Sequence, residues 1–371
     1  MKKKTIVLTG GGTAGHIMPN IALCEELKKH FENIYYIGTN AMEKDIVAKY
    51  NIPFYEINAT KFVRKISLKT FLIPFKLIKS ICQAKRILKT LKPDVIFSKG
   101  GYVSIPVCIA GKKLKIPVVS HESDLTMGLA NKIILKYANV VCTSFESTAQ
   151  GNKKCIFTGS PIRNQIFLGN KQNIINKFEY NPNKPTILFM GGSLGAKAIN
   201  EIVYSSIDSL TKLYNVLHIS GKNSKKISAK NYYQVEFTNN IEDFYACCDM
   251  CVTRSGANAL FELAAIKKPM LLIPLPKGNS RGDQVENAKI FENKKLATVL
   301  QQDNLSTTTL LKEIEKTLKQ KRTLIQNLEK LNLKNVNSTI VDIILKQIKT
   351  KWFWDIPYLP NCNYDKLICN I

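Results

Sequence analysis

Thr5-Ile6-Val7-Leu8-Thr9 runs directly into Gly10-Gly11-Gly12-Thr13-Ala14-Gly15-His16, and this passage from apolar run to glycine turn sets the reading of the whole chain. The first five residues are mostly β-branched and of strand length. The glycines that follow let backbone N–H groups approach a ligand, and a helix predicted over Asn20–Lys29 brings its positive end to the same place. No Gly-Lys-Ser/Thr follows, so the turn is not a Walker A loop. Alone, it fits a phosphate- or dinucleotide-binding loop and a merely structural turn equally.

Outward from that turn, strand-length runs alternate with helical periodicity: Ile34–Ile37, then Glu43–Tyr50 as helix, then Val95–Ser98 and Val118–Ser120. Such alternation predicts βαβ units and a parallel sheet. Around Gly159–Arg163 the residues become loop-like, and Asn170–Pro185 is polar and proline-bounded before a second strong strand, Thr186–Met190. The second half repeats the grammar of the first, with Gly191-Gly192-Ser193-Leu194-Gly195-Ala196, helix Ala198–Ser209 and strand Asn215–Ser220. The expected fold class is therefore α/β, two doubly wound Rossmann-like domains facing across a cleft. Both glycine turns then sit at the carboxyl ends of their sheets, where open α/β folds bind ligands. Residues 1–164 form the first domain on this reading and 165–340 the second, and 341–371 form a helix and tail packing back on the first. A helical stretch from about Ser306 to Lys349 precedes an aromatic, cysteine-bearing tail, Trp352–Ile371, to which no role is assigned.

Length and composition agree with two domains. The chain has 371 residues, more than one hydrophobic core usually supports, and its 45% apolar and 22% charged content is that of a globular protein. Its 54 Lys and Arg against 28 Asp and Glu leave a net charge of +26, which draws it toward anionic lipid, nucleic acid or phosphorylated substrates. Ten cysteines are scattered, and the close group Cys247, Cys248 and Cys251 lacks a second pair or nearby histidines. Packed thiols in a reducing cytoplasm are expected, and no metal site. The Lys2–Lys4 start is only superficially like a signal sequence, because its apolar stretch is too short and enters glycines. No stretch approaches the roughly 18 apolar residues of a spanning helix, so any membrane contact is expected to be peripheral.

Further groups of polar residues gather at predicted strand ends. Strand Asp249–Thr253 passes through Arg254-Ser255-Gly256 into the helix Ala257–Glu262, which places Glu262 where a carboxylate can take both ribose hydroxyls of a nucleotide, or else on a solvated helix face. Strand Met270–Leu275 leads through a polar loop to Asp283–Ala288, where Gln284 and Asn287 are three residues apart and share one helix face.

The chain resembles the MurG family of peptidoglycan glycosyltransferases, glycosyltransferase family 28. The resemblance rests on Gly11–His16, Lys99-Gly100-Gly101-Tyr102-Val103-Ser104, His121-Glu122-Ser123-Asp124, Gly128-Leu129-Ala130-Asn131, Gly159–Arg163, Gly191–Ala196, Arg254–Glu262 and Arg281–Ala288, in the family's order over residues 5 to about 345. It implies the GT-B fold, with a UDP-N-acetylglucosamine donor in the second domain and a lipid-linked acceptor, undecaprenyl-pyrophosphoryl-N-acetylmuramyl pentapeptide (lipid I), at the first. It also implies donor contacts from Thr13, Ala14 and Gly15, from Arg163, Ser193 and Ile241, from Ala257, Asn258, Ala259, Leu260, Phe261 and Glu262, and from Gln284, with Asn287 beside it. Asp124, a sugar contact, departs from the branch of the family that carries Asn there, and Ala14 replaces a glycine common in relatives.

The reaction so implied is an inverting transfer to the muramyl 4-hydroxyl. A base must take the hydroxyl proton, and cationic groups must steady the departing diphosphate. His16 is the candidate base, with acceptor binding as its alternative role, and Glu122 or Asp124 are the alternative proton acceptors. His30 and His218 read as surface and strand histidines. No Asp-x-Asp motif is present, so neither metal nor cofactor is called for. Between residues 62 and 92, Phe71, Leu72 and Phe75 interleave with Lys69, Lys76 and Lys79, a pattern that fits docking on an anionic membrane surface or an ordinary amphipathic helix. The implied lipid acceptor favours docking, at the cytoplasmic side of the cell membrane. A UDP-sugar epimerase of the same fold is the rival enzyme reading, and a nucleic-acid-binding protein is disfavoured by the absence of a recognisable binding motif.

Overall fold

The computed structural model describes residues 4–60, 73–192, 195–278, 282–331, 333 and 336–349. The first half runs β1 (Thr5–Thr9), α1 (Met18–Lys28), β2 (Asn33–Gly38), α2 (Met42–Ala48), β3 (Phe54–Glu56), α3 (Ile73–Leu91), β4 (Val95–Ser98), α4 (Ser104–Lys113), β5 (Val118–Glu122), α5 (Leu129–Ile134), β6 (Val140–Thr143), α6 (Glu146–Ala149) and β7 (Cys155–Phe157). The second runs α7 (Gln172–Ile175), β8 (Thr186–Met190), α8 (Lys197–Ser205), α9 (Ile207–Leu213), β9 (Asn215–Ile219), β10 (Tyr232–Val235), α10 (Ile241–Cys247), β11 (Met250–Thr253), α11 (Ala257–Ala265), β12 (Met270–Leu272), α12 (Asp283–Asn293) and β13 (Thr298–Val299). Three helices close the described chain: α13 (Thr307–Lys319), α14 (Lys321–Glu329) and α15 (Val336–Lys349).

The strands form a seven-stranded sheet of order β3-β2-β1-β4-β5-β6-β7 and a six-stranded sheet of order β10-β9-β8-β11-β12-β13. Pairings are parallel in both. In each sheet the chain moves outward from the first strand, then returns and continues on its other side. The two glycine turns therefore leave β1 and β8 at the switch points of their sheets.

Helices on both faces explain why the strands read as continuous apolar runs rather than alternating ones. Ile6 and Leu8 of β1 pack with Leu23 and Leu27 of α1, whereas Val7 packs on the opposite face with Ala84 and Leu88 of α3. In the second sheet Leu188 and Met190 face one core, and Ile187 and Phe189 the other. The helix α15 returns to the first sheet, burying Ile340, Val341 and Ile344 beside α1. Asn337 fixes that return. Its Nδ2 donates to the Ala22 carbonyl at 3.2 Å and the Ile162 carbonyl at 2.7 Å, while its Oδ1 accepts the Ile162 N–H at 3.0 Å. The tail Trp352–Ile371 lies outside the described residues.

Several boundaries differ from the sequence reading for identifiable reasons. The helix predicted over Ala198–Ser209 breaks at Ser206, whose hydroxyl lies 2.7 Å from that of Thr307. The strand predicted over Met270–Leu275 stops at Leu272, and the Leu275 N–H instead meets Gln284 Oε1 at 3.1 Å. The helical stretch after Ser306 is three helices, and the first begins with a Ser306–Thr309 capping box.

Candidate active site

The loops at the carboxyl ends of the two sheets meet one another. After β5, the Ser123 hydroxyl donates to Asn258 Oδ1 of α11 at 3.1 Å, and the Leu125 N–H donates to Asn287 Oδ1 of α12 at 3.1 Å. Thr126 bonds Glu286 through its hydroxyl. Asn258 Nδ2 continues to the Gly15 carbonyl at 2.9 Å, and Asn287 Nδ2 to Asp124 Oδ1 at 3.3 Å. Gly15, Asp124, Asn258 and Asn287, read separately from sequence, thus lie at one seam between the halves.

The first glycine turn is held from beneath by polar side chains that the sequence reading missed. Asn20 is fully buried in the first turn of α1 and donates to the Thr9 carbonyl and the Tyr36 hydroxyl, each at 3.1 Å. Tyr36 donates in turn to the Gly10 carbonyl at 2.8 Å. Glu43, also fully buried, accepts the Thr39 N–H at 3.0 Å and the Gly12 N–H at 3.4 Å. The available signal was polar residues on faces that the strand pattern requires to be buried. On this support Thr13 stands exposed, and Ala14, Gly15 and His16 are half-buried in a single 3-10 turn. His16 Nδ1 lies 3.0 Å from Thr13 Oγ1. Behind the ring runs Gly101, where a methyl group would come within 3.3 Å of Nδ1.

Glu122, an alternative proton acceptor in the sequence reading, has both carboxylate oxygens engaged. Oε1 accepts the Asp124 N–H at 3.0 Å, and Oε2 accepts the Gly128 N–H at 2.9 Å and Asn131 Nδ2 at 3.0 Å. It folds the 122–131 loop. His121 Nε2 lies 2.8 Å from the Gly159 carbonyl, and burial, with Lys99 close by, holds this imidazole well below its ordinary range. Both residues are structural in geometry, and Asp124 is left as the half-buried carboxylate at the seam.

On the other side, Arg163 and Glu262 grip one another through Nε–Oε1 at 2.7 Å and Nη2–Oε2 at 2.9 Å. Burial works against the Arg163 charge, but the bond to Glu262 outweighs it and keeps the guanidinium protonated. Ala257, Asn258 and Ala259 occupy the first turn of α11, where backbone N–H groups point outward. The Leu260 and Phe261 side chains turn into the core, Phe261 edge-on to Phe145 with centroids 5.3 Å apart, which leaves only their backbone to meet a ligand. Ile241, half-buried, packs against the same core. Gln284 Oε1 accepts the Leu275 N–H at 3.1 Å within its own half. Ser193 lies outside the described residues.

Of the apolar and basic stretch, Phe75, Lys76, Ile78 and Lys79 are exposed on α3, Phe75 to 72%, while Leu77 packs inward. Lys69, Phe71 and Leu72 lie outside the described residues. Among the described residues no helix is long and apolar enough to cross a membrane. Cys247, Cys248 and Cys251 are buried in one core, with the first two thiols pushed up by burial to about 12 and about 11.

Residues 6–143 match the glycosyltransferase family 28 N-terminal domain, and residues 186–343 match the glycosyltransferase family 28 C-terminal domain. The chain belongs to glycosyltransferase family 28. A Clostridium botulinum relative, named UDP-N-acetylglucosamine–N-acetylmuramyl-(pentapeptide) pyrophosphoryl-undecaprenol N-acetylglucosamine transferase, is 42% identical over 353 residues, spanning 93% of this chain and 100% of the relative. A Clostridium tetani relative of the same name is 41% identical over 94% of this chain and 99% of its own length. Among solved structures, Acinetobacter baumannii MurG superposes with a TM-score of 0.72 at 26% identity, covering 92% of this chain and 99% of MurG. The calicheamicin glycosyltransferase shares the fold at a TM-score of 0.71 and 13% identity, over 94% of this chain and 99% of its own. The family 28 architecture, two Rossmann-like α/β domains of the GT-B type, is thus the architecture of this chain, and the seam between the two halves is its interdomain cleft.

Proposed function

We propose that this enzyme transfers N-acetylglucosamine from UDP-N-acetylglucosamine to the 4-hydroxyl of undecaprenyl-pyrophosphoryl-N-acetylmuramyl pentapeptide, with inversion at the anomeric carbon. The observation that carries this reading is the identity of 42% along the whole length of relatives named for that transfer. The geometry supplies parts that the reaction needs. The acceptor oxygen forms its bond to the anomeric carbon as the bond to UDP breaks, its proton passing to a base and the electron pair leaving on the diphosphate.

His16 is the base on this reading, because it stands on the braced turn at the seam, with Nδ1 toward Thr13 and Nε2 on the far side of the ring. On this reading Glu122 serves its own loop, to which both its oxygens are bonded, and Asp124 serves the sugar from the seam beside Asn287. In the same reading Arg163, its guanidinium oriented by two bonds to Glu262, meets the departing diphosphate, Glu262 takes the ribose hydroxyls with its remaining lone pairs, and the α11 N-terminus adds N–H groups. The second glycine turn cradles the diphosphate. Peripheral attachment to the cytoplasmic face of the membrane is supported by Phe75 and Ile78 standing exposed among Lys76 and Lys79, and by a net charge of +26.

The test is transfer of radiolabelled N-acetylglucosamine from UDP to the lipid-pyrophosphoryl-muramyl-peptide acceptor. His16→Ala should lower kcat by at least about a hundredfold, the size expected of a lost general base. A near-wild-type rate would take His16 out of the mechanism, and a new epimer formed from the nucleotide sugar without acceptor would replace the transferase reading itself.

A further inference from the structure

Lys99 is the only buried lysine among the described residues. It follows β4 directly, and Gly100 and Gly101 after it both take left-handed φ, +86° and +79°. That double turn lays the chain against the first glycine turn, so close that a methyl on Gly101 would press on the Gly11 carbonyl. The lysine side chain is thereby directed inward, to the end of β5, where Nζ donates to the Ser123 hydroxyl.

An ammonium has three donors and no lone pair, so Ser123 Oγ must accept from it and send its own proton elsewhere. That proton goes to Asn258 Oδ1 in the other domain, at 3.1 Å. With Oδ1 so occupied, the amide of Asn258 is fixed with Nδ2 outward, and Nδ2 donates to the Gly15 carbonyl at 2.9 Å. One direction of donation therefore runs from the interior of the first domain, across the cleft, and back to the residue preceding His16.

We propose that Lys99 is a positioning residue for the transfer: as a donor-only ammonium it orients the Ser123–Asn258–Gly15 chain and so holds the two domains closed around the His16 turn. The proposal rests on the transferase reading and adds to it a residue that touches neither sugar. Burial pulls the Lys99 pKa down to about 8, against the raising influence of Glu122, Asp124 and Cys142. The neighbouring Cys142 thiol is itself pushed up to about 12 by burial, and burial together with the Lys99 charge keeps His121 neutral. The ammonium consequently persists at neutral pH. Once neutral, the amine offers a lone pair, Ser123 can donate backward, and the amide of Asn258 loses its fixed sense.

The experiment compares full-length wild type with Lys99→Met, Ser123→Ala, Asn258→Ala and the Lys99→Met/Asn258→Ala double variant. Donor KM and kcat are read across pH, and the radius of gyration with saturating UDP is read by small-angle scattering. Lys99→Met should raise the donor KM about tenfold near neutral pH, the size of one lost charge-assisted bond, with a smaller change in kcat. Wild-type KM should climb toward the variant's value as the pH passes about 8. The variant's own profile supplies the baseline, including titration of the nucleotide. Asn258→Ala should match Lys99→Met, and the double variant should be no worse than either. An unchanged KM in Lys99→Met, or losses that simply add, overturns the proposal. Should Lys99→Met fail to fold, Ser123→Ala breaks the same chain while leaving the lysine in place, and is held to the same KM, pH and scattering outcomes. A wild type that transfers no sugar to the acceptor overturns the functional reading instead. Closure then still reports on Lys99, and a UDP-bound variant as compact as wild type overturns its role.

Discussion

Tyr36 on β2 and His218 on β9 occupy the same place in their two halves: Tyr36 is paired with Leu8 and His218 with Phe189, each one residue before the end of the strand that enters a glycine turn. Each meets an asparagine from the helix after that turn. Asn20 Nδ2 donates to the Tyr36 hydroxyl at 3.1 Å, and Asn200 Oδ1 lies 3.0 Å from His218 Nε2. The first brace ends on a glycine of its turn, and the second ends beside one. Tyr36 bonds the Gly10 carbonyl at 2.8 Å, while Asn200 Nδ2 bonds at 2.7 Å the Ser220 carbonyl, on which a methyl at Gly195 would press. The duplicated strand, turn, helix and strand thus extend to a duplicated buried bond. What differs is its chemistry. Burial pushes the Tyr36 phenol upward, away from any working pH, whereas burial draws His218 down to about 4, within reach of mild acid. The Tyr36–Asn20 brace under the His16 turn contains no group that takes a proton in mild acid, whereas the His218–Asn200 brace under the second turn does.

The largest expected effect tests that difference directly. The folded pKa of His218, about 4, lies below its ordinary 6.5, so the unfolded chain takes the proton first. Stability from this site is complete above about 6.5 and falls as the pH drops toward 4, by about 3 kcal/mol at about 1.4 kcal/mol per unit. His218→Gln, which keeps an N–H for Asn200, should flatten that part of the acid limb in urea unfolding at a series of pH values. His121 remains in the variant and supplies its own acid slope. Identical slopes in variant and wild type would show that His218 does not set the acid limit of the second half.

The next effect concerns the other brace. Tyr36→Phe keeps the packing but leaves the buried Gly10 carbonyl and one Asn20 N–H without the hydroxyl, a loss of about 2 kcal/mol. That loss should be the same at pH 5 and pH 8, because nothing in this brace titrates between them. Circular dichroism melts at the two values make the comparison. A loss that grows in acid would erase the contrast between the braces.

These braces also mark where sequence reading stops. Strands β4 and β8 were legible to the residue and β1 to within one, because parallel strands covered on both faces read as nearly continuous apolar runs, and β1 and β8 enter glycines directly. Two α/β units with turns at their carboxyl ends followed from that alternation. The resemblance brought Gly15, Asp124, Asn258 and Asn287 forward, but only the packing of one half on the other puts them at one seam. Spacing could not reveal that Glu122 spends both oxygens on its own loop, or that Leu260 and Phe261 face the core. Asn20, Tyr36, Glu43 and Lys99 escaped for a related reason: each is a polar residue whose burial is decided by a partner distant in sequence.

The smallest effect separates the turns themselves. At Gly10 a methyl would run into the His16 carbonyl, and at Gly12 it would come within 2.7 Å of the Tyr102 ring, so the first turn is filled on its protein side. At Gly192 a methyl meets nothing within 4 Å among the described residues, and the cost of Gly192→Ala is that of holding φ at +86° with a side chain. That cost is about 1 kcal/mol, a shift of a few degrees in melting temperature. A diphosphate would approach the Gly192 backbone here if the second turn cradles the donor. Gly192→Ala should then raise the donor KM severalfold while kcat at saturating donor stays close to wild type. A variant with the small stability loss and an unchanged KM would make this turn structural only, and would leave Arg163 and the α11 N-terminus as the groups that receive the diphosphate.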